Sequence, residues 1–155
     1  LATTFLQEFF DDLFIHIGFA KLFSGTVLVA VGLAGVILLR DAGIGTLRLA
    51  RLPSDERLDD LAYRFMALGL VFETLMLITG AIWAQDAWGR YWAWDPLETW
   101  SFITWLTLAF ALHWRYGMKS TPRAAAIMIM VVFVLAFFTF FGVPFVTTAV
   151  HQGAV

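Results

Sequence analysis

Four apolar runs, at about 17–39, 61–84, 100–115 and 124–150, constrain this chain more than any other feature. A helix of roughly 20 apolar residues crosses a hydrocarbon layer about 30 Å thick. The chain is 61% hydrophobic and 14% charged, against roughly 45–50% and about 25% in soluble domains. A soluble core of this length does not hide that much apolar surface, and a bilayer does. Backbone that crosses lipid must satisfy its own hydrogen bonds, so each run is expected to be a helix. The expected architecture is all-α: a polytopic membrane helix bundle of four transmembrane helices, forming one membrane domain over 1–155. No internal repeat or low-complexity stretch divides it.

The basic residues set an orientation. Arg40, Arg48, Arg51, Arg57 and Arg64 flank or fill the loop between runs one and two, and Arg115, Lys119 and Arg123 lie between runs three and four. The opposite side has Arg90, and Lys21 just inside run one. By the positive-inside rule the two basic loops are cytoplasmic. The segment 85–99, the start of run one and the end of run four then face outward. The first basic loop also carries Asp55, Glu56, Asp59 and Asp60 after Pro53-Ser54. That segment is expected to be a solvated interfacial helix with Ser54 as its cap. The stretch 1–13 has acidic residues and no basic n-region, so it does not read as a signal peptide. Absence of cysteine excludes disulfides, iron–sulfur clusters and a CxxCH attachment motif from this chain. The expected surroundings are a lipid bilayer, with no nucleic acid partner.

Three histidines are placed unevenly. His16 is at the outer end of run one and His151 just past the outer end of run four. His113 is 13 residues beyond Trp100, about 20 Å along a helix, and so near the inner face. Two neutral imidazoles facing each other across an aromatic slot suit a six-coordinate heme iron. A lone histidine at a membrane interface is more often a simple interfacial polar group. Two at the outer ends of separate runs, with an aromatic segment between them, favour ligation. For His113 a ligand role and an interfacial role stay equally open.

Six of the seven tryptophans fall between Trp83 and Trp105. Interfacial anchoring explains tryptophan belts in general. Here Asp86, Arg90, Asp95, Pro96 and Glu98 are interleaved with the rings, polar content that an anchor does not need. Trp88, Trp92 and Trp94 offer flat apolar walls for a porphyrin, and Arg90 is the one arginine on this face for a propionate. A quinone, a lipid or a peptide would fit the same composition. Asp95-Pro96 resembles a helix start, with Asp95 capping and Pro96 at the first helical position. Glu98 either accepts an indole N–H or stays solvated. Glu73, in mid-run, is expected to face the bundle, protonated or paired, lining a route through the protein or making a contact between helices.

The run Gly80-Ala81-Ile82-Trp83-Ala84, with Trp88-Gly89, Tyr91-Trp92, Trp94-Asp95-Pro96, Glu98-Thr99-Trp100 and Thr104-Trp105, resembles the WWD signature of heme-handling proteins. It is most similar to the CcsA (ResC) type of cytochrome c biogenesis protein. Leu58-Asp59, Tyr63-Arg64 and Phe141-Gly142-Val143 also look like that type, so the likeness covers most of the chain from Arg51 to His151. It implies an external WWD segment over 83–105 and outward transport of b-type heme for presentation to apocytochrome c. It also implies His16 and His151 as external axial ligands, His113 as an inner-site ligand, and Trp88, Trp92, Trp94, Arg90 and Asp95 around the heme. A CcsB (ResB)-type membrane partner would supply the other inner ligand and complete a heme lyase-like synthase, in a bacterial plasma membrane or a thylakoid. Proteins of this type have more than four spans, so further N-terminal helices are expected. Their ending after the last histidine differs from His151-Gln152-Gly153, and Glu73 is not part of their pattern. Two alternatives stay open: heme delivery to a chaperone, as in the CcmC type, and a non-enzymatic quinone-binding or structural subunit of an electron-transfer assembly.

Overall fold

A computed structural model describes residues 19–43, 53–118 and 120–146. Among these residues every regular element is helical. Helix α1 spans Phe19–Asp41, α2 Asp55–Trp88, α3 Pro96–Gly117 and α4 Pro122–Phe137. A π-helical turn, Phe138–Gly142, and a short α5, Val143–Val146, continue the line of α4. Three stretches are long and apolar enough to cross a membrane: Lys21–Asp41, Asp55–Gln85 and Pro122–Gly142. The run expected at 100–115 forms a helix of comparable length, 22 residues. Glu98, His113, Arg115 and its indoles interrupt its apolar stretch, which is why it is not among the three.

The core follows a four-three rhythm. On α1 the buried positions are Phe23, Val27, Ala30, Ala34 and Ile37; on α4 and the π turn they are Ala125, Ala126, Ile129, Val132, Ala136 and Thr139. Such spacing keeps one seam of each helix facing its neighbour. Lipid is as apolar as leucine, so helices in a bilayer are held by close packing, which small seam residues permit. Gly69 of α2 illustrates the closeness: a Cβ there would stand 3.2 Å from Thr26 Oγ1 of α1.

Two expectations about the charged end are corrected. The Pro53–Leu61 region is not a separate interfacial helix. After Ser54, α2 runs unbroken for 34 residues, and Ser54 caps it through the backbone without a side-chain bond. Asp59 is not solvated: it is 2% exposed, and Arg115 of α3 donates to its Oδ2 through Nε at 2.9 Å and through Nη2. Arg115 also lies over the Tyr63 ring. Arg40 binds the Pro53 carbonyl and the Asp55 carboxylate, and Arg123 pairs with Asp41. These bonds gather the end of α1, the start of α2, the end of α3 and the start of α4 at one pole. The tryptophan segment occupies the other.

Candidate functional site: an aromatic double chamber at the α2–α3 turn

The segment 85–99 is helical at both ends and irregular only in its middle. α2 continues through Trp88 and stops at Gly89, whose φ of 71° gives the left-handed C-cap that glycine adopts at little cost. Only residues 89–95 lie outside helices. Trp83 and Trp88 therefore stand on the last turns of α2, Trp100 and Trp105 on α3, and Trp92 and Trp94 on the connection.

The connection is fastened by its own carboxylates. Asp95 accepts the backbone N–H of Glu98 at 2.8 Å, with Pro96 at the first helical position, as its cap role requires. Among the described residues Glu98 accepts no indole; it takes the backbone N–H of Ala93 at 2.8 Å. The Asp95 carboxylate satisfies an amide that the helix start leaves free, and the Glu98 carboxylate reaches back to an amide of the connection before the cap. Between them Trp94 is forced to a φ of 58°, a left-handed geometry that costs a bulky residue of order 1–3 kcal/mol and persists only where neighbours impose it.

The rings then interlock. Trp92 meets Trp94 edge-on at 5.7 Å and Phe102 at 6.3 Å, and Phe102 stacks on Trp105 at 6.0 Å. Trp105 Nε1 donates to Thr74 Oγ1 at 2.8 Å, which ties α3 to α2. Trp83 and Trp88 meet edge-on at 4.8 Å.

Two apolar hollows result, both open at the surface. One, of about 250 Å³, lies among Trp83, Trp88, Tyr91, Trp92, Leu97 and Phe140, with Asp95, Glu98 and Thr139 on its wall. The other, of about 440 Å³, is bounded by Thr74, Ile78, Trp94, Phe102 and Trp105. Trp92, Leu77 and Ala81 belong to both, so they form the partition. Trp92 Nε1 is buried and, among the described residues, has no hydrogen-bond partner. A flat apolar slot with an unanswered N–H in its wall is suited to a planar ligand carrying few acceptors.

The sequence-derived candidates divide clearly. Trp88, Trp92, Trp94 and Asp95 come together here. Arg90 lies exposed on the same connection, where among the described residues it makes no ion pair. His113 does not join them. It is exposed near the far end of α3, and its Nδ1–H donates to the Ala109 carbonyl at 2.7 Å. In a neutral ring this leaves Nε2 as the outward lone pair. His16 and His151 lie outside the described residues.

Sequence reasoning missed the π turn and its anchorage. Thr139 Oγ1 lies 2.9 Å from Thr104 Oγ1 and also bonds the Leu135 carbonyl, while Phe138 packs edge-on against Trp100 at 4.7 Å. The available signal was Gly142, where a Cβ would collide with the Phe138 ring.

The chain matches the family model described as cytochrome C assembly protein over residues 7–151. It is similar to the cytochrome c biogenesis protein CcsA of Gloeobacter violaceus, 39% identical over 133 residues, covering 83% of this chain and 39% of that protein. It is also similar to CcsA of Panax ginseng, 41% identical over 97 residues, covering 63% of this chain and 30% of that protein. The chain thus spans between 30% and 39% of the length of these relatives. It belongs to the cytochrome c assembly family, and its apolar helices make it an integral membrane protein.

Proposed function

We propose that this chain is the heme-presenting module of a CcsA-type cytochrome c biogenesis protein, which moves heme outward and offers it to apocytochrome c. The observation that carries the proposal is the pair of apolar, indole-walled chambers built on the fastened Asp95–Glu98 turn, in a chain of the cytochrome c assembly family. A porphyrin needs flat apolar walls and donors at its rim. The indoles answer the first need; Trp92 Nε1 and Arg90 answer the second.

In this scheme residues 1–155 form one membrane domain and α3 crosses as a fourth span, held among the other three. The WWD segment 83–105 faces outward in a bacterial plasma membrane or a thylakoid, because the opposite pole gathers Arg40, Arg57, Arg64, Arg115 and Arg123. His16 and His151 are the axial ligands of a b-type heme in transit. His113, with Nε2 turned outward, ligates heme at an inner site whose second ligand comes from a CcsB-type partner. Each apocytochrome thiol then adds across a heme vinyl, its sulfur bonding one vinyl carbon and its proton going to the other. The role of this chain in that step is orientation.

The test is the absorption spectrum of the purified protein beside His16→Ala and His151→Ala. A bis-histidine spectrum lost in both variants, together with loss of holocytochrome, is expected. Unchanged spectra and unchanged maturation in both variants would sink the proposal. If His113→Ala leaves loading and maturation intact, delivery to a chaperone is favoured over the synthase role.

A further inference from the structure

The smaller hollow combines rings and carboxylates in a way the larger one does not. Trp83, Trp88 and Tyr91 on its wall are 47%, 40% and 61% exposed. Asp95 and Glu98 stand beside them, while no charged side chain lines the larger hollow. The carboxylates belong to the cap and first turn of α3, level with the end of α2 that carries Trp88. From there the hollow runs down α2 to Leu77, about 16 Å along the axis, between apolar residues such as Ala81 and Phe140. Among the described residues no cationic side chain lines it. Arg90, exposed on the connection, is not in the lining, and neither is Glu73, which is 1% exposed within the bundle.

This lining selects a cation. An anion would meet two carboxylates, and a neutral apolar guest would strip them of water without replacing it. Indole and phenol rings attract a cation to their faces, and the carboxylates attract it directly. A divalent metal is a poor fit, because it takes about six or more oxygen ligands. Here Asp95 Oδ1 and Glu98 Oε2 each accept a backbone amide at 2.8 Å, and the described residues hold no group of three metal-ligating side chains. A guanidinium binds best to both oxygens of one carboxylate at once, a geometry that those amide bonds work against. An ammonium on an alkyl stem has neither need. It is compact, it can take one oxygen from each of two carboxylates, and its methylenes lie along apolar walls.

We propose that the smaller hollow receives a lysine side chain of a polypeptide partner, with its ammonium at the Asp95 and Glu98 carboxylates and its stem against the indoles. Anchoring one side chain there fixes the direction from which the partner lies on the tryptophan segment. The occupied hollow leaves the larger one clear. That the partner is apocytochrome c rests on the function proposed above; the ammonium chemistry does not.

The experiment is ligand-observed saturation-transfer NMR on the purified protein in an uncharged detergent, with n-butylammonium, n-butylguanidinium and n-butanol as probes. n-Butylammonium should bind about tenfold more tightly than n-butanol, the combined effect of a cation–π contact and exposed ion pairs, and more tightly than n-butylguanidinium. Its affinity should fall as salt rises, which reads the charge without any variant. Glu98→Gln keeps an acceptor for the Ala93 amide and should weaken n-butylammonium about threefold while leaving n-butanol unchanged. A capped lysine tripeptide should displace n-butylammonium, and its norleucine counterpart should not. Equal affinity for the ammonium and the alcohol, a salt-independent affinity, or an unchanged Glu98→Gln would overturn the site. Displacement by dihexanoylphosphatidylcholine as good as by the lysine peptide would make the occupant a lipid headgroup and overturn the polypeptide assignment. All of this is read without heme. A missing ammonium response beside an intact bis-histidine spectrum overturns the lysine site alone, and a lysine response in a protein that never gives that spectrum overturns the heme reading alone.

Discussion

Asp95 and Glu98 fasten one another's surroundings: the first accepts the amide of the second at 2.8 Å, and the second reaches back past Trp94 to the amide of Ala93 at 2.8 Å. These two hydrogen bonds flank Trp94, whose φ of 58° is left-handed. Asp95→Ala should lower stability by about 1 kcal/mol, the usual loss for an N-cap, and should also release Trp94 from the rings it packs on. Asp95→Asn, which keeps an acceptor, should lose far less. Unfolding in detergent and tryptophan fluorescence read the two effects separately; equal losses for alanine and asparagine would show that the cap does not matter.

Trp92 separates two chambers and leaves its own N–H unanswered. Trp92→Phe should therefore keep the partition at little cost to stability. Trp92→Ala joins the chambers and should cost up to about 3 kcal/mol, the lower end for truncating a buried aromatic, since this indole is only half-buried. Heme absorbance of the purified variants should be retained in the first and reduced in the second. Equal retention would remove Trp92 from the heme site.

At the other pole, the Asp59–Arg115 pair is asymmetric in burial, with side-chain exposures of 2% and 29%. Arg115→Ala leaves a buried carboxylate alone and should destabilise by about 3 kcal/mol. Asp59→Asn together with Arg115→Ala should recover part of that loss, because no charge is then stranded. A double-mutant cycle in detergent unfolding measures this; additive losses would mean the two side chains act independently.

Gly142 admits the Phe138 ring, which itself rests on Trp100. Gly142→Ala should cost about 1–3 kcal/mol by overpacking. Phe138→Leu in the same chain should relieve most of it. The readout is thermal unfolding of the three variants; a harmless Gly142→Ala would mean that the π turn yields without strain.

Apolar run length located every long helix, because apolar length and charged boundaries are local properties of the chain, although α2 begins at Asp55, before the run that marked it. The cap role of Asp95 was legible for the same reason: an acid before proline acts within its own turn. What the sequence hid depends on partners far along the chain. Asp59 reads as a surface charge until Arg115, 56 residues later, is brought beside it. Thr139 reads as one polar residue in an apolar run until Thr104 answers it from another helix. The left-handed Trp94 was illegible because no propensity favours it; it is imposed by the bonds around it. The fate of Glu98 was undecidable from sequence because an indole and an amide are both within reach of its side chain, and only the path of the connection chooses between them.

The partition at Trp92 carries a last consequence. Whatever occupies either hollow touches the same indole, so the two share one contact residue, and a substitution there is felt on both sides at once.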